Sequence, residues 1–199
     1  MKIERYVTGA VSTNTYLLIE DDKYLIIDPS GKAENIIKHI NGKVLAILLT
    51  HGHFDHIKAV DDLYDMYQCP IYLNEGDNDL VDPISSKKTN AYFGMHGSIS
   101  RPITNISEGH YEIGPFSFDV METPGHTQGS IIYIFDDNIF TGDTLFKGSI
   151  GRTDLYGGNF SQLKQSLRVF NNFKHDYNIY PGHDEATTLE RELKSNPYL

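Results

Sequence analysis

The segment Thr50-His51-Gly52-His53-Phe54-Asp55-His56 constrains this chain more than any other feature. Three imidazoles and one carboxylate lie within six positions, directly after the apolar run 44–49. Neutral imidazole nitrogens and carboxylate oxygens are ligands that zinc and similar metals prefer. A loop after a buried strand is where a rigid scaffold presents such ligands. The alternative is a surface loop that is rich in histidine by chance, although only nine of 199 residues are histidine.

Size and charge limit the classes of function. A length of 199 residues fits one domain spanning residues 1–199. The formal net charge of −10 repels a phosphate backbone, so we expect no nucleic-acid partner. The apolar content of 39% and the charged content of 22% are typical of a soluble globular protein, and they leave the oligomeric state open.

The cysteine content and the hydropathy pattern predict a cytoplasmic protein. The chain has a single cysteine, Cys69, so no disulfide forms within it, which favours a reducing compartment. The N-terminal residues lack the apolar segment of a signal peptide. No apolar run approaches the ~20 residues of a membrane-spanning helix, so we expect no membrane partner.

The hydrophobic pattern predicts an α/β fold with two sets of strands. Strands are predicted at 3–7, 15–20, 24–28, 44–49, 71–73, 103–106, 116–122, 131–135, 138–141 and 177–180. Helices are predicted at 33–40, 57–67, 160–173 and 187–194, and Asp-Asp pairs at 21–22 and 136–137 predict tight turns. Two mixed sheets packed face to face, with helices outside, would bury these runs.

Residues 75–101 are the least regular part of the chain. Their glycines and prolines predict a mobile loop with one or two short helices. Loops of this length are usually functional or disordered. Side chains that could cover a site are Asn90, Tyr92, Phe93, Met95 and His96. A substrate-contacting role for this loop and the absence of one are both open.

Three further candidate ligands lie downstream in glycine-containing turns. They are His126 in Pro-Gly-His-Thr, Asp143 in Thr-Gly-Asp-Thr and His183 in Pro-Gly-His-Asp. Glycine lets the backbone turn sharply and approach an ion. Each residue alone is better explained as a turn residue. Together with the first segment they make seven ligands, which suits two metal ions sharing a bridging carboxylate and water: His51, His53, Asp55, His56, His126, Asp143 and His183.

The order of these motifs resembles that of the metallo-β-lactamase-fold hydrolases. Within that superfamily the chain is most similar to the short glyoxalase II-like (hydroxyacylglutathione hydrolase-like) subgroup. The subgroup resemblance rests on the motifs at 123–130 (TPGHTQGS), 142–146 (GDTLF), 148–154 (GSIGRTD) and 196–199 (NPYL). It implies an αββα sandwich of two mixed sheets flanked by helices.

The resemblance also implies which residue binds which metal. His51, His53 and His126 would bind the first ion, Asp55, His56 and His183 would bind the second, and Asp143 would bridge both. The expected cofactors are two zinc ions, and iron and manganese accept the same ligands.

The implied reaction is hydrolysis of a thioester or ester by a metal-bridging hydroxide. A zinc-bound water loses its proton near neutral pH, and one metal would polarise the carbonyl. Asp55 would be both ligand and catalytic residue, orienting the hydroxide or carrying its proton. Asp28, Thr50 and Thr144 are candidate hydrogen-bond partners of the liganding histidines. Arg152 and Asp154 are expected to pair and hold the loop near Asp143, and a substrate-carboxylate role for Arg152 is the alternative.

Departures from related groups narrow the function. Asp143 stands where a cysteine is a ligand in some zinc β-lactamases, which argues against antibiotic hydrolysis. His53 replaces the glutamate of flavodiiron oxygen reductases. The chain ends about 16 residues past His183, without the extra helical region that binds glutathione in long glyoxalase II enzymes. The acyl group, the thiol carrier and the native metal therefore stay open.

Two other functions compete with thioester hydrolysis. The first is a mononuclear iron persulfide dioxygenase, a group with the same histidines and the Gly-Arg-Thr-Asp motif. Its members usually carry a cysteine near that motif, where this chain has Gly148-Ser149-Ile150. The second is a metal-dependent binding protein without activity, which the complete set of seven ligands disfavours.

Overall fold

The fold, given by a computed structural model, is an αββα sandwich of two six-stranded mixed sheets. The structure describes residues 1–89, the backbone of 91–92, and 95–199. The strands of the first half are β1 (Lys2–Thr8), β2 (Thr13–Glu20), β3 (Lys23–Ile27), β4 (Lys43–Leu48), β5 (Ile71–Leu73), β6 (Ala91–Tyr92), β7 (Met95–His96) and β8 (Ile103–Asn105). The first sheet has the order β1-β2-β3-β4-β5-β8, antiparallel from β1 to β3 and parallel from β3 to β8.

The strands of the second half are β9 (Gly109–Ile113), β10 (Phe116–Glu122), β11 (Ile131–Phe135), β12 (Asn138–Gly142), β13 (Leu145–Phe146), β14 (Ser149–Ile150), β15 (Asn178–Pro181) and β16 (Thr187–Thr188). The second sheet has the order β16-β15-β12-β11-β10-β9, and its one parallel pair is β12 with β15. Two short antiparallel pairs, β6 with β7 and β13 with β14, lie outside both sheets.

Short helices cover the outer faces of the two sheets. The α-helices are α1 (Glu34–Ile37), α2 (Phe54–Ile57), α3 (Val60–Tyr67), α4 (Asn78–Val81), α5 (Ser86–Thr89), α6 (Phe160–Ser166) and α7 (Leu189–Ser195). Two 3-10 helices span Glu75–Asp77 and Leu167–Asn172. In the described part of the chain, no helix is long and apolar enough to span a bilayer.

The apolar core has three layers that follow from the alternation of side chains along the strands. The middle layer lies between the sheets, where Leu18 and Leu48 pack in one cluster with Phe118 and Phe140. One outer layer lies under α1 and α3 and includes Ile26 and Leu63. The other lies under α6 and α7. Because both faces of each sheet are covered, the central strands are apolar on both sides.

The predicted fold class is confirmed, and most of the differences concern the ends of elements. The predicted helix 33–40 is wrong in length, since α1 ends at Ile37. The predicted helix 57–67 begins at Val60 instead, because Ala59 is not helical (φ −97°, ψ 1°) and separates α2 from α3. Residues Thr187–Thr188 extend the second sheet instead of starting a helix. The strand β9 and the pairs β6–β7 and β13–β14 were not predicted.

The predicted Asp-Asp turns are confirmed. Asp21 and Asp136 adopt left-handed conformations, with φ of 53° and 50°, which aspartate tolerates better than most residues. Of the predicted loop side chains, Asn90, Phe93 and the side chain of Tyr92 lie outside the described residues.

Candidate metal centre

The histidine-rich segment lies where the buried strand β4 ends and α2 begins. His51, His53 and His56 are all buried. His53 is the extended residue that precedes α2 (φ −65°, ψ 148°). Asp55 and His56 therefore fall in the first helical turn, while His51 and His53 lie in the extended loop before it. This change of backbone conformation brings four side chains with a spacing of two, two and one to a single site.

The other three predicted ligands come from turns of the second sheet. His126 follows β10, Asp143 follows β12 and His183 follows β15. At Gly125 (φ +135°) a Cβ would lie 2.2 Å from the backbone nitrogen of Leu163, so only glycine allows the close approach to α6. His183 also forms a β-bridge with Thr13 at the start of β2, which fixes this turn against the first sheet.

The structure brings all seven predicted ligands together in two groups. His51, His53 and His126 form one group, and Asp55, His56 and His183 form the other, with candidate donor atoms within 4.8 Å of one another in each. Asp143 lies between the groups. Its Oδ1 is 3.4 Å from His56 Nε2, and its Oδ2 is 3.4 Å from His126 Nε2 and 3.5 Å from His183 Nε2.

The polar atoms of this site fit a bound cation. Among the described residues, four buried atoms lack a hydrogen-bond partner and cluster here: Nε2 of His51, Nε2 of His53, Nε2 of His56 and Oδ1 of Asp143. An unpaired buried polar atom costs about 1–3 kcal/mol, so a cluster of four requires an explanation. Divalent cations with nitrogen and oxygen ligands provide one.

One carboxylate, Asp28, orients two of the histidines. Its Oδ2 accepts hydrogen bonds from His56 Nδ1 at 2.9 Å and from Thr50 Oγ1 at 2.6 Å. Thr50 Oγ1 therefore has a lone pair free to accept from His51 Nδ1, which lies 3.1 Å away. These bonds place the ring protons on Nδ1 and leave Nε2 of both histidines facing the site, as metal binding requires. Thr144 does not take part, because its hydroxyl pairs with that of Thr123 at 2.8 Å.

His126 is oriented by the loop that contains Arg152. Its Nδ1 donates to the backbone oxygen of Arg152 at 2.7 Å, which leaves Nε2 facing the site. The predicted Arg152–Asp154 pair is present, with guanidinium nitrogens 2.7 and 2.8 Å from the two carboxylate oxygens. The pair holds the loop that supplies this carbonyl.

The electrostatics favour neutral imidazoles at His51 and His53 beside ionised carboxylates. Burial lowers the pKa of His51 well below its usual value, and burial with the nearby His126 lowers that of His53 to about 3. Burial alone would raise the pKa of Asp55, but His56 and His183 outweigh it and lower it to about 2. Burial also opposes the charged form of His56 and His183, but the neighbouring carboxylates outweigh it and raise the pKa of both. Metal ligation requires neutral imidazoles and ionised carboxylates, so binding of an ion at His56 and His183 would be coupled to release of protons.

Two glycines keep space open around Asp143. A Cβ at Gly182 would lie 2.3 Å from Asp143 Oδ1 and 2.7 Å from His56 Cε1. A Cβ at Gly151 would lie 1.8 Å from the backbone oxygen of Asp143. Side chains at these positions would displace the carboxylate or fill the space between the ligands.

A cleft of about 220 Å³ opens over the ligands. Arg152, Tyr156 and Val11 line it together with Lys88 and Thr89 of α5. Part of the segment 75–101 therefore borders the site, and its contact with substrate stays a prediction.

The role of Asp77 was not predicted from the sequence. This residue joins the loop that contains His51 and His53 to the loop that contains His126. Its side chain is buried and accepts hydrogen bonds from the backbone amides of Gly52 and Gly129 and from Thr127 Oγ1. Nothing local distinguishes Asp77 from the many other acidic residues of the chain. The segment that contains it was assigned only as irregular.

Among the described residues, the remaining histidines lie outside the two ligand groups. His39 stacks on Tyr6, while the exposed His110 and His175 pair with Asp119 and Asp137. His96 lines a neighbouring cavity.

Sequence comparison identifies relatives over the whole chain. The sequence model of the metallo-beta-lactamase superfamily matches residues 8–183. The "probable metallo-hydrolase YqgX" of Bacillus subtilis is 37% identical, over 100% of this chain and 98% of the relative. The "hydroxyacylglutathione hydrolase GloC" of Haemophilus influenzae is 34% identical, with the same two coverages.

Solved structures give the same assignment. A structure titled BLEG-1 B3 metallo-beta-lactamase is 36% identical with a TM-score of 0.90, covering 100% of this chain and 99% of that one. A protein named TTHA1623, crystallised in a di-iron-bound form, is 31% identical with a TM-score of 0.86, covering 98% and 100%. The chain therefore belongs to the metallo-beta-lactamase superfamily, whose fold it shares.

Proposed function

We propose that residues 1–199 act as one domain and as a dinuclear metal-dependent hydrolase of thioesters of the hydroxyacylglutathione type. One observation carries the proposal. The carboxylate of Asp143 lies between the two ligand groups, with Oδ1 3.4 Å from His56 Nε2 and Oδ2 3.4 Å from His126 Nε2 and 3.5 Å from His183 Nε2. A carboxylate in this position suits two ions held side by side.

In this proposal His51, His53 and His126 bind one ion, and Asp55, His56 and His183 bind the other. Asp143 binds both. Asp28 also lies near His51 and His56, but its oxygens already accept hydrogen bonds from Thr50 and His56, so it acts as an orienting residue. We propose zinc, while the di-iron form of a similar protein supports iron as the competing metal.

Divalent ions supply a nucleophile at neutral pH and polarise a carbonyl oxygen. The chain supplies position and proton transfer. Asp55 Oδ2 accepts a hydrogen bond from Thr13 Oγ1 at 2.8 Å and lies 3.2 Å from His183 Nε2, which fixes the carboxylate at the floor of the cleft. We assign Asp55 the role of orienting the attacking water and accepting its proton. Hydrolysis forms a C–O bond, breaks the C–S bond and passes a proton to the leaving thiolate.

The thioester assignment is supported by the 34% identity to GloC across the whole chain. The test is hydrolysis of S-D-lactoylglutathione by zinc-loaded protein, with His56→Ala as the inactive variant. His110→Ala is the matched control, since His110 is exposed on β9. Activity lost only in His56→Ala supports the proposal. No activity in protein shown to hold metal contradicts it.

The persulfide dioxygenase alternative is less well supported by the site. A mononuclear centre would leave Asp55, His56 and His183 without a ligand role, although they are grouped and oriented. The positions 148–150 carry no cysteine. Oxygen uptake with glutathione persulfide by iron-loaded protein, without thioester hydrolysis, would favour this alternative.

A β-lactam is a second candidate substrate, favoured by the 36% identity and the TM-score of 0.90 to BLEG-1. Asp143, which stands where some zinc β-lactamases have a liganding cysteine, predicts instead that the protein does not hydrolyse antibiotics. Nitrocefin hydrolysis by the same metal-loaded preparation decides between them. The prediction against antibiotic hydrolysis fails if kcat/KM for nitrocefin equals or exceeds that for the thioester.

A further inference from the structure

A second cavity adjoins the metal cleft. Its volume is about 510 Å³, and it shares Phe54 and Asp55 with the cleft over the ligands. A thioester has two arms that leave the carbonyl carbon in different directions. A substrate whose carbonyl lies beside Asp55 can therefore place one arm in each cavity.

The wall of this second cavity contains a buried hydroxyl without a partner. Ser30 is 1% exposed, and among the described residues its Oγ accepts and donates no hydrogen bond. The backbone passes close to this hydroxyl at Gly9, where a Cβ would lie 2.4 Å from Ser30 Oγ, so a side chain at position 9 would cover it. Gly9 and Gly31 both have positive φ (75° and 70°) and both line the cavity. A buried hydroxyl usually has a partner, so we take a ligand to be the missing one.

The same cavity carries two exposed cations, Lys32 and Lys58. Neither ammonium has an ion pair or a hydrogen bond in the described part of the chain, although the protein has a formal charge of −10. Two lysines and a hydroxyl in the wall of one cavity suit an oxyanion, since all three groups can donate hydrogen bonds.

We propose that Ser30, Lys32 and Lys58 form a subsite for an anionic arm of the substrate, ending in a carboxylate or a phosphate. The subsite rests on the proposed thioester hydrolysis and specifies its substrate class. The subsite is separate from Arg152, because Arg152 lines the metal cleft and the three proposed residues line the second cavity.

The test compares three thioesters that differ in where they carry a negative charge. S-butyryl-N-acetylcysteamine has none, S-succinyl-N-acetylcysteamine carries it on the acyl arm, and the butyryl thioester of 3-mercaptopropionate carries it on the thiol arm. We expect the zinc-loaded protein to prefer one anionic thioester over the neutral one by about tenfold or more in kcat/KM. The preferred compound shows whether the subsite binds the acyl arm or the thiol arm of the substrate.

The variants separate the subsite from general electrostatics. Ser30→Ala and the double variant Lys32→Glu/Lys58→Glu should lose the preference while retaining activity on the neutral thioester. Lys38→Glu changes an exposed lysine at the C-terminal end of α1, and this variant should retain the preference for the anionic thioester. The proposal is overturned if wild-type protein shows no preference, or if the preference survives in the double variant.

A binding measurement keeps this test independent of catalysis. Succinate binding to the zinc-loaded protein is measured by calorimetry, and we expect at least tenfold weaker binding in Lys32→Glu/Lys58→Glu than in Lys38→Glu. Equal binding in the two variants overturns the subsite. If no thioester is hydrolysed but this difference is found, the proposed function fails and the anion site stands. Repeating the titration with inorganic phosphate shows which oxyanion binds more tightly.

Discussion

The carboxylate of Asp77 accepts a hydrogen bond of 2.8 Å from the backbone amide of Gly52, the residue between the candidate ligands His51 and His53. The same carboxylate accepts from Thr127 Oγ1 at 2.8 Å and from the amide of Gly129 at 2.7 Å, beside His126. A single buried side chain therefore fixes the distance between a ligand loop of the first sheet and one of the second.

Asp77→Ala should destabilise the protein and weaken its metal binding together. The change leaves two buried amides without acceptors, each costing about 1–3 kcal/mol, so we expect a loss of roughly 3 kcal/mol in the free energy of unfolding. Urea denaturation and metal analysis after dialysis measure the two effects. Asp79→Ala, two residues away and exposed, is the control. A variant with wild-type metal content would show that Asp77 does not position the ligands.

Asp28→Asn should lower metal affinity by about 10- to 100-fold, the usual effect of losing a carboxylate that orients a liganding histidine. Asparagine tolerates the left-handed conformation of this residue (φ 49°), so the backbone should be unchanged. Competition with a chromophoric zinc chelator measures the affinity. Asp21→Asn has a similar φ of 53° at an exposed turn and should bind metal as the wild type does. Equal affinities of the two variants would contradict the role of Asp28.

Asp143→Ala should lose both metals and all activity, because one carboxylate faces both ligand groups. The measurement is metal content per chain by mass spectrometry after gel filtration. Asp137→Ala, at an exposed turn, is the control. Retention of two ions per chain by the Asp143 variant would exclude a bridging role.

Gly182→Ala should reduce metal content without removing any ligand. The added Cβ would lie 2.3 Å from Asp143 Oδ1, so either the carboxylate moves or the turn shifts. Gly148→Ala is the comparison, since its Cβ would meet no atom within 4 Å even though its φ of +71° makes the change mildly destabilising. Metal loss in both variants to the same extent would point to a folding effect instead.

The Arg152–Asp154 pair should persist to acidic pH. The hydrogen bond from Arg152 lowers the pKa of Asp154 from 3.8 to about 2. Because the folded-state pKa is the lower one, the pair contributes fully above pH 3.8 and is lost as the pH falls through 2. Carbon NMR titration of the carboxyl group measures the midpoint. In Arg152→Gln it should return toward 3.8, and an unchanged midpoint would refute the pairing in solution.

Regular patterns made much of the fold predictable. Strands β10 and β11 were predicted to the residue, because Phe116, Phe118 and Val120 alternate with polar residues and residues 131–135 are apolar. Strand β9 was missed because its sequence, GHYEI, is mostly polar and its residues are exposed or half-buried at the sheet edge. The two halves of the predicted helix 160–173 are an α-helix and a 3-10 helix, which share one apolar face and cannot be separated by periodicity.

Residue type and spacing were enough to predict the candidate ligands of the site, but not the residues that position them. The seven candidate ligands stand out because four of them lie within six positions after a strand, and the other three each follow a glycine in a turn after a strand. Asp77, Thr13 and the carbonyl of Arg152 act through contacts between segments distant in sequence, and a single sequence carries no record of those contacts. The cavity beside Ser30 is likewise formed by tertiary packing.

The candidate ligands are divided between the two sheets, four from the segment after β4 and three from the turns after β10, β12 and β15. Ions bound there would act as further cross-links between halves of the chain that also meet through apolar packing and through hydrogen bonds such as those of Asp77. By mass action, the free metal concentration then sets how tightly the halves hold together. Residues 1–107 and 108–199, produced as separate chains, should associate more strongly as zinc is added, so that metal supply would govern assembly of the fold as well as its chemistry.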